Sequence, residues 1–152
     1  MSAFVDIRIS GIDLNLGEIT SRLAMNPDYA YKKGDTCLDY KYGGVKIIYD
    51  EDCWIAAYKP KEETPVEKQL EEFVNVLAAS SDYLQELANM HDVTIWISMY
   101  PDNEQVNLHI STPTIKTLAR IGASLDCSTA YLKSFHDGLY DRQAGGKTDG
   151  RA

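Results

Sequence analysis

No metal or catalytic motif can be assembled from this sequence, because the residues that would build one are few and scattered. Cysteine occurs three times, at Cys37, Cys53 and Cys127, an odd and widely spaced set that suits neither a disulfide framework nor paired zinc ligands. The histidines, His91, His109 and His136, are equally dispersed, and no HExxH, Cys-x-x-Cys or Walker-type run exists, so neither metal nor cofactor is expected. Positive charge is the scarcer sign: 15 Lys and Arg stand against 23 Asp and Glu, a net charge of -8. DNA, RNA and anionic membranes are therefore poor partners, since phosphate neutralisation needs clustered cations, whereas a basic protein surface is allowed. Apolar runs of membrane-spanning length are missing, and the opening Met1-Ser2-Ala3-Phe4-Val5-Asp6 has neither a positive nor an apolar leader segment. A soluble, cytoplasmic protein is the expectation. With only five prolines and 44% apolar content in 152 residues, one domain over residues 1–135 with a proper core is expected, followed by a polar, flexible tail over 136–152.

What is present is organised around Thr64 to Tyr100. Thr64-Pro65-Val66-Glu67 reads as a helix start, with a capping threonine, a proline at the first helical position and a glutamate to close a capping box. Val66, Leu70, Phe73, Val74, Leu77, Leu84, Leu87 and Ala88 then recur at helical spacing. Ser80-Ser81 interrupts that stripe, which predicts a bend or two abutting helices. Val93, Ile95, Ile97 and Met99 follow, alternating with Thr94, Trp96, Ser98 and Tyr100 as a half-buried strand does.

Upstream, Phe4 to Ser10 alternates in the same way, and Asn15 can cap a short helix whose stripe is Ile19, Leu23 and Ala24. Tyr29 to Asp35 reads as an irregular, tyrosine-bearing connection. Strand-like runs cover Cys37 to Tyr42, Val45 to Tyr49 and Cys53 to Lys59, with Gly43-Gly44 as a hairpin turn and Asp50-Glu51-Asp52 as a loop tip. Downstream, Gln105 to Ser111 reads as a strand pairing with Val93 to Tyr100. A helix from Ser111 to Gly122 and a last strand from about Leu125 to Leu132 complete the chain.

This order predicts an α+β two-layer sandwich, a largely antiparallel sheet with about three helices on one face. Ile19 to Leu23 before the Tyr29 region echoes Ile115 to Arg120 before Cys127 to Tyr131, which raises a ferredoxin-like duplication of a strand-helix-strand unit.

Five stretches together resemble a known pattern: Ile9-Ser10-Gly11-Ile12-Asp13-Leu14, Glu18-Ile19-Thr20, Lys33-Gly34-Asp35, Trp54 closing a hairpin before a Leu-rich helix, and Leu118-Ala119-Arg120-Ile121-Gly122-Ala123-Ser124-Leu125-Asp126. Over residues 4 to 132 the chain resembles the bacterial family DUF4279, a domain of unknown function with no catalytic residues to carry over. The resemblance implies a small intracellular protein, and some members look like immunity proteins that neutralise toxins.

Two surfaces emerge as candidates. Tyr29, Tyr31, Asp35, Asp39, Tyr40, Tyr42, Tyr49, Asp50, Glu51 and Asp52 interleave rings with carboxylates, which suits docking onto a basic toxin domain; the alternative is a half-buried meander with tyrosine tips in water. On the sheet face away from the helices, Arg8, Trp96, Tyr100, Asn107 and His109 would form a ligand-binding or enzymatic surface, with His109 and Asp6 as an acid-base pair, or simply cross-strand pairs that stabilise the sheet. A homodimer through a sheet edge or that face is a third reading. The leading expectation is a non-enzymatic, protein-binding immunity domain.

Overall fold

The computed structural model describes residues 2–39, 43–102 and 105–130. Its elements are β1 (Ser2–Gly11), α1 (Leu16–Leu23), β2 (Tyr29–Tyr31), β3 (Thr36–Asp39), β4 (Val45–Ile48), β5 (Asp52–Ala57), α2 (Val66–Ala78), α3 (Ser81–Met90), β6 (Asp92–Tyr100), α4 (Thr112–Ile121) and β7 (Ser124–Thr129). Five strands form one mixed sheet in the order β2-β5-β1-β6-β7, antiparallel throughout except for the parallel pair β6 and β7. Strands β3 and β4 form a separate hairpin. The class is α+β.

The pleat of β1 and β6 divides the molecule. Val5, Ile7 and Ile9 from β1 and Val93, Ile95, Ile97 and Met99 from β6 are buried on one face, because alternate strand residues project to the same side. Helical residues at three-and-four spacing meet them: Ile19 and Leu23 of α1, Leu70, Phe73 and Leu77 of α2, Leu84 and Leu87 of α3, and Leu118 and Ile121 of α4 belong to the same hydrophobic cluster. Each such fully buried side chain contributes about 1.5–3 kcal/mol relative to exposure. Trp54 of β5 is completely buried within this cluster, and its indole N–H donates to Thr20 Oγ1 at 3.0 Å, which satisfies the one polar atom that burial would otherwise strand.

Several expectations needed correction. The long helical signal divides at Ala79 and Ser80 into α2 and α3, so the described residues carry four helices, not three. The capping box at Thr64 does not form: its hydroxyl bonds the Glu62 carbonyl, Pro65 takes the cap position, and α2 begins at Val66. Residues 105–110 are not in a strand, although Val106, Leu108 and Ile110 still pack on the core in alternation with exposed Gln105, Asn107 and His109. The reason is topological: β1 and β7 already occupy both edges of β6. Tyr29–Tyr31, read as irregular, is an edge strand on β5. Among the described residues β3 pairs with β4 from Thr36 to Asp39, residues 40–42 of the expected strand lie outside the described residues, and Gly43 and Gly44 both take φ of 79° as a tight turn demands. The duplication is not borne out, because β1 and β2 are separated by β5 whereas β6 and β7 are neighbours. The tail over 136–152 lies outside the described residues.

Helix ends show clear chemistry. Asn15 Oδ1 accepts the Glu18 N–H at 3.0 Å, and Ser111 Oγ accepts that of Thr114 at 3.4 Å, as expected of N-caps. At the other ends, both α1 and α4 close through a left-handed residue, Ala24 at φ 52° and Gly122 at φ 73°. Ala24 is thus an exposed cap rather than part of the buried stripe. Gly122 also lies against α3, where an added Cβ would stand 3.1 Å from that of Ala88. Exchanging the two cap residues separates these effects. Ala24→Gly should stabilise by about 0.5–1 kcal/mol by relieving left-handed strain, and Gly122→Ala should destabilise by about 1–2 kcal/mol, both read by denaturant titration.

Candidate functional site

The base of the hairpin is tied down by one carboxylate. Asp52, at the start of β5, is 2% exposed. Its Oδ2 accepts from Lys32 Nζ at 2.6 Å and from the Leu14 N–H at 2.9 Å, and its Oδ1 accepts from the Lys33 N–H at 2.7 Å. Lys32 Nζ also donates to the Leu14 carbonyl at 2.7 Å. One side chain therefore joins the turn before α1, the segment leaving β2 and the entry to β5. The Lys32 ammonium, then the Lys33 N–H, hold the Asp52 carboxyl down at about 2, against burial that pushes the other way. Asp52 is consequently not a loop-tip acid available to a partner.

Above this knot, Tyr31 and Tyr49 stack with ring centroids 3.6 Å apart and planes 14° from parallel. Tyr49 donates its hydroxyl to Cys37 Sγ at 3.1 Å, a bond that raises its ionisation range. Tyr31 and Cys53 are cross-strand neighbours, and burial raises both the phenol and the thiol. A raised thiol is a poor nucleophile, so Cys53 serves packing here.

The hairpin itself exposes its apolar residues. Leu38, Val45, Ile47 and Ile48 are 53%, 56%, 38% and 64% exposed, and they fall on both faces of the two-stranded sheet. No described residue outside β3 and β4 pairs with either strand. Two strands alone are marginal in water, so the stack on Tyr31 and the Asp52 knot are what orient it.

On the helix-free face of the main sheet, Arg8 lies 4.3 Å over the Trp96 ring and bonds Asp6 at 2.8 Å, while Phe4 meets Tyr100 edge-to-face at 6.1 Å. Trp96 is half-buried beneath the guanidinium, and Tyr100 is exposed. His109 is elsewhere: with Ser111, Thr114, Lys68 and Glu71 it lines a cavity between the starts of α2 and α4. Asn107 shares its segment. The structure therefore brings Arg8, Trp96 and Tyr100 together and separates His109 from them and from Asp6, whose carboxylate is committed to Arg8.

Of the tyrosine and acid set, Tyr29 is 69% exposed on the edge strand, Tyr31 is half-buried in the stack, and Asp35 and Asp50 are exposed. Glu51 is half-buried. Asp35 Oδ2 accepts the Lys32 N–H, closing the turn into β3. Asp39 ends β3, and Tyr40 and Tyr42 lie outside the described residues. Missed in the sequence were Lys32 as the partner of Asp52 and the exposure of Leu38 and Ile48; nothing in local spacing signals either. Among the described residues no group of three His, Cys, Asp or Glu is placed to hold a metal, and no helix is long and apolar enough to cross a membrane.

The sequence profile described as a domain of unknown function, DUF4279, matches residues 1–132. The chain belongs to the DUF4279 family. No curated protein and no solved structure matches it. The matched span contains the whole of the main sheet, the four helices and the hairpin, so within this DUF4279 domain the hairpin is part of the family region rather than an appendage to it.

The Asp52 knot predicts a pH dependence. Because the folded carboxyl ionises near 2 instead of 3.8, its contribution is fully present above about pH 4 and is lost as pH falls towards 2. Asp52→Asn, which leaves Lys32 without its anion, should lower the melting temperature by several degrees at pH 7 and flatten the acid limb of stability between those values, measured by calorimetry.

Proposed function

We propose that this DUF4279 domain is a non-enzymatic protein-binding module that docks a basic protein, and that it acts as an immunity protein by covering the working surface of a toxin. The observation that carries the reading is the β3–β4 hairpin, which holds four exposed aliphatic side chains clear of the core. Exposed apolar clusters beside polar groups mark interaction sites, and a two-stranded sheet gains its missing support from a partner. The net charge of -8 supports a cationic partner, because opposite charge speeds encounter and disfavours wrong pairings. Asp35 and Asp50, exposed at the two ends of the hairpin's base, stand where such a partner would be steered.

In this reading the helices and main sheet form a two-layer scaffold, and the domain works in the cytoplasm, where its three free cysteines stay reduced. The test is co-expression with the toxin-like product encoded beside it. Growth should be restored and the two chains should co-purify, while Ile48→Asp should weaken rescue at least tenfold in toxin dose. Persisting growth inhibition in the presence of the wild-type domain would overturn the reading.

A further inference from the structure

The backbone of the hairpin distinguishes its two edges. Tyr49 donates its N–H to the Asp35 carbonyl at 3.0 Å and accepts from the Gly34 N–H at 2.8 Å, so its polar groups point inward between the strands. By antiparallel alternation the register Thr36 to Ile48 and Leu38 to Lys46 turns the N–H and C=O groups of those four residues outward. The β4 edge therefore presents Lys46 and Ile48, and a lysine on an edge strand opposes further pairing by cationic segments. The β3 edge presents Thr36 and Leu38, with exposed Asp35 at the alternate position before Thr36.

We propose that the outer edge of β3 accepts an added strand from the basic partner, a deepening that rests on the protein-binding reading above. The added segment alternates apolar and basic residues. Its apolar members lie at the parity of Thr36 and exposed Leu38, and its cations lie at the parity of exposed Asp35. Main-chain bonds to Thr36 and Leu38 complete a three-stranded sheet, which supplies what a two-stranded hairpin lacks. A second copy of this chain is the poorer occupant, because its own β3 would bring a second Asp35 carboxylate rather than a cation to the same edge.

The test uses the full chain with three synthetic heptapeptides: one alternating lysine and valine, one alternating glutamate and valine, and one with the same lysines and valines in two blocks. Residue-resolved amide exchange should show Thr36 and Leu38 protected about tenfold by the alternating lysine peptide alone. Leu38→Pro, which removes an outward N–H without touching the inner ladder, should abolish protection at Thr36 while core amides of β1 stay slow. Lysine peptides that bind but protect other amides overturn the edge assignment and leave the basic-partner reading standing. Equal protection by the block peptide overturns strand addition in favour of charge alone, and concentration-dependent protection without peptide overturns it in favour of self-association. If the proline variant loses the hairpin, the three-peptide comparison on the wild-type chain still decides.

Discussion

The constraint on which the structure depends is the two-residue period of β1. This strand pairs on both sides, with β5 and with β6, so its register transmits to the three central strands at once. A slip of one residue would turn Val5, Ile7 and Ile9 to the helix-free face and bring Asp6 and Arg8 into the core. Burying an unpaired Asp or Arg costs far more than the pleat can recover elsewhere, so burial on one face and polarity on the other specify the register together. The same period that holds the helices in place thereby presents Phe4, Arg8, Trp96 and Tyr100 outward.

At the edge of that sheet the organising interaction changes from apolar to ionic. Strand β2 has three residues and can secure little by burial, since Tyr29 is exposed and Tyr31 only half-buried. The segment that leaves it is held instead by Asp52, through two backbone N–H groups and one ammonium. A buried carboxylate with all its donors supplied is rigid, but it loses its hold once one partner goes. The position of the hairpin thus depends on a polar knot rather than on the hydrophobic cluster.

This difference explains what was legible. Wherever a segment buries one face, its spacing reveals it: the alternation in Val93 to Met99, the helical stripe from Val66 to Leu87, and the caps at Asn15, Ser111 and Gly122 were all readable from neighbours in sequence. The failures lie where the deciding contact is remote. Gln105 to Ser111 has a strand's alternation and does lay alternate residues on the core, yet pairing depends on whether an edge of β6 is free, and β7, formed later in the chain, takes it. Tyr29–Tyr31 is a strand only because β5 offers it an edge. Asp52 resembled Asp50 and Glu51, its neighbours in an acidic triplet, and only Lys32, twenty residues away, distinguishes it. Of the candidate surface, the sequence pointed to the tyrosines and acids and did not single out the aliphatic residues between them.

A pattern such as Val45-Lys46-Ile47-Ile48 normally earns its strand by packing against a layer, and here no described residue outside the hairpin pairs with it. Its ordering costs on the order of 1–2 kcal/mol per residue in backbone entropy, which exposed valine and isoleucine do not offset by burial among the described residues. The Tyr31–Tyr49 stack and the Asp52 knot hold the hairpin at one end and leave its aliphatic side chains in water. Residues of this type gain from burial only when something covers them. Among the described residues nothing pairs with the hairpin, and the fold's polar anchoring at its base fixes the direction in which its exposed aliphatic side chains are held.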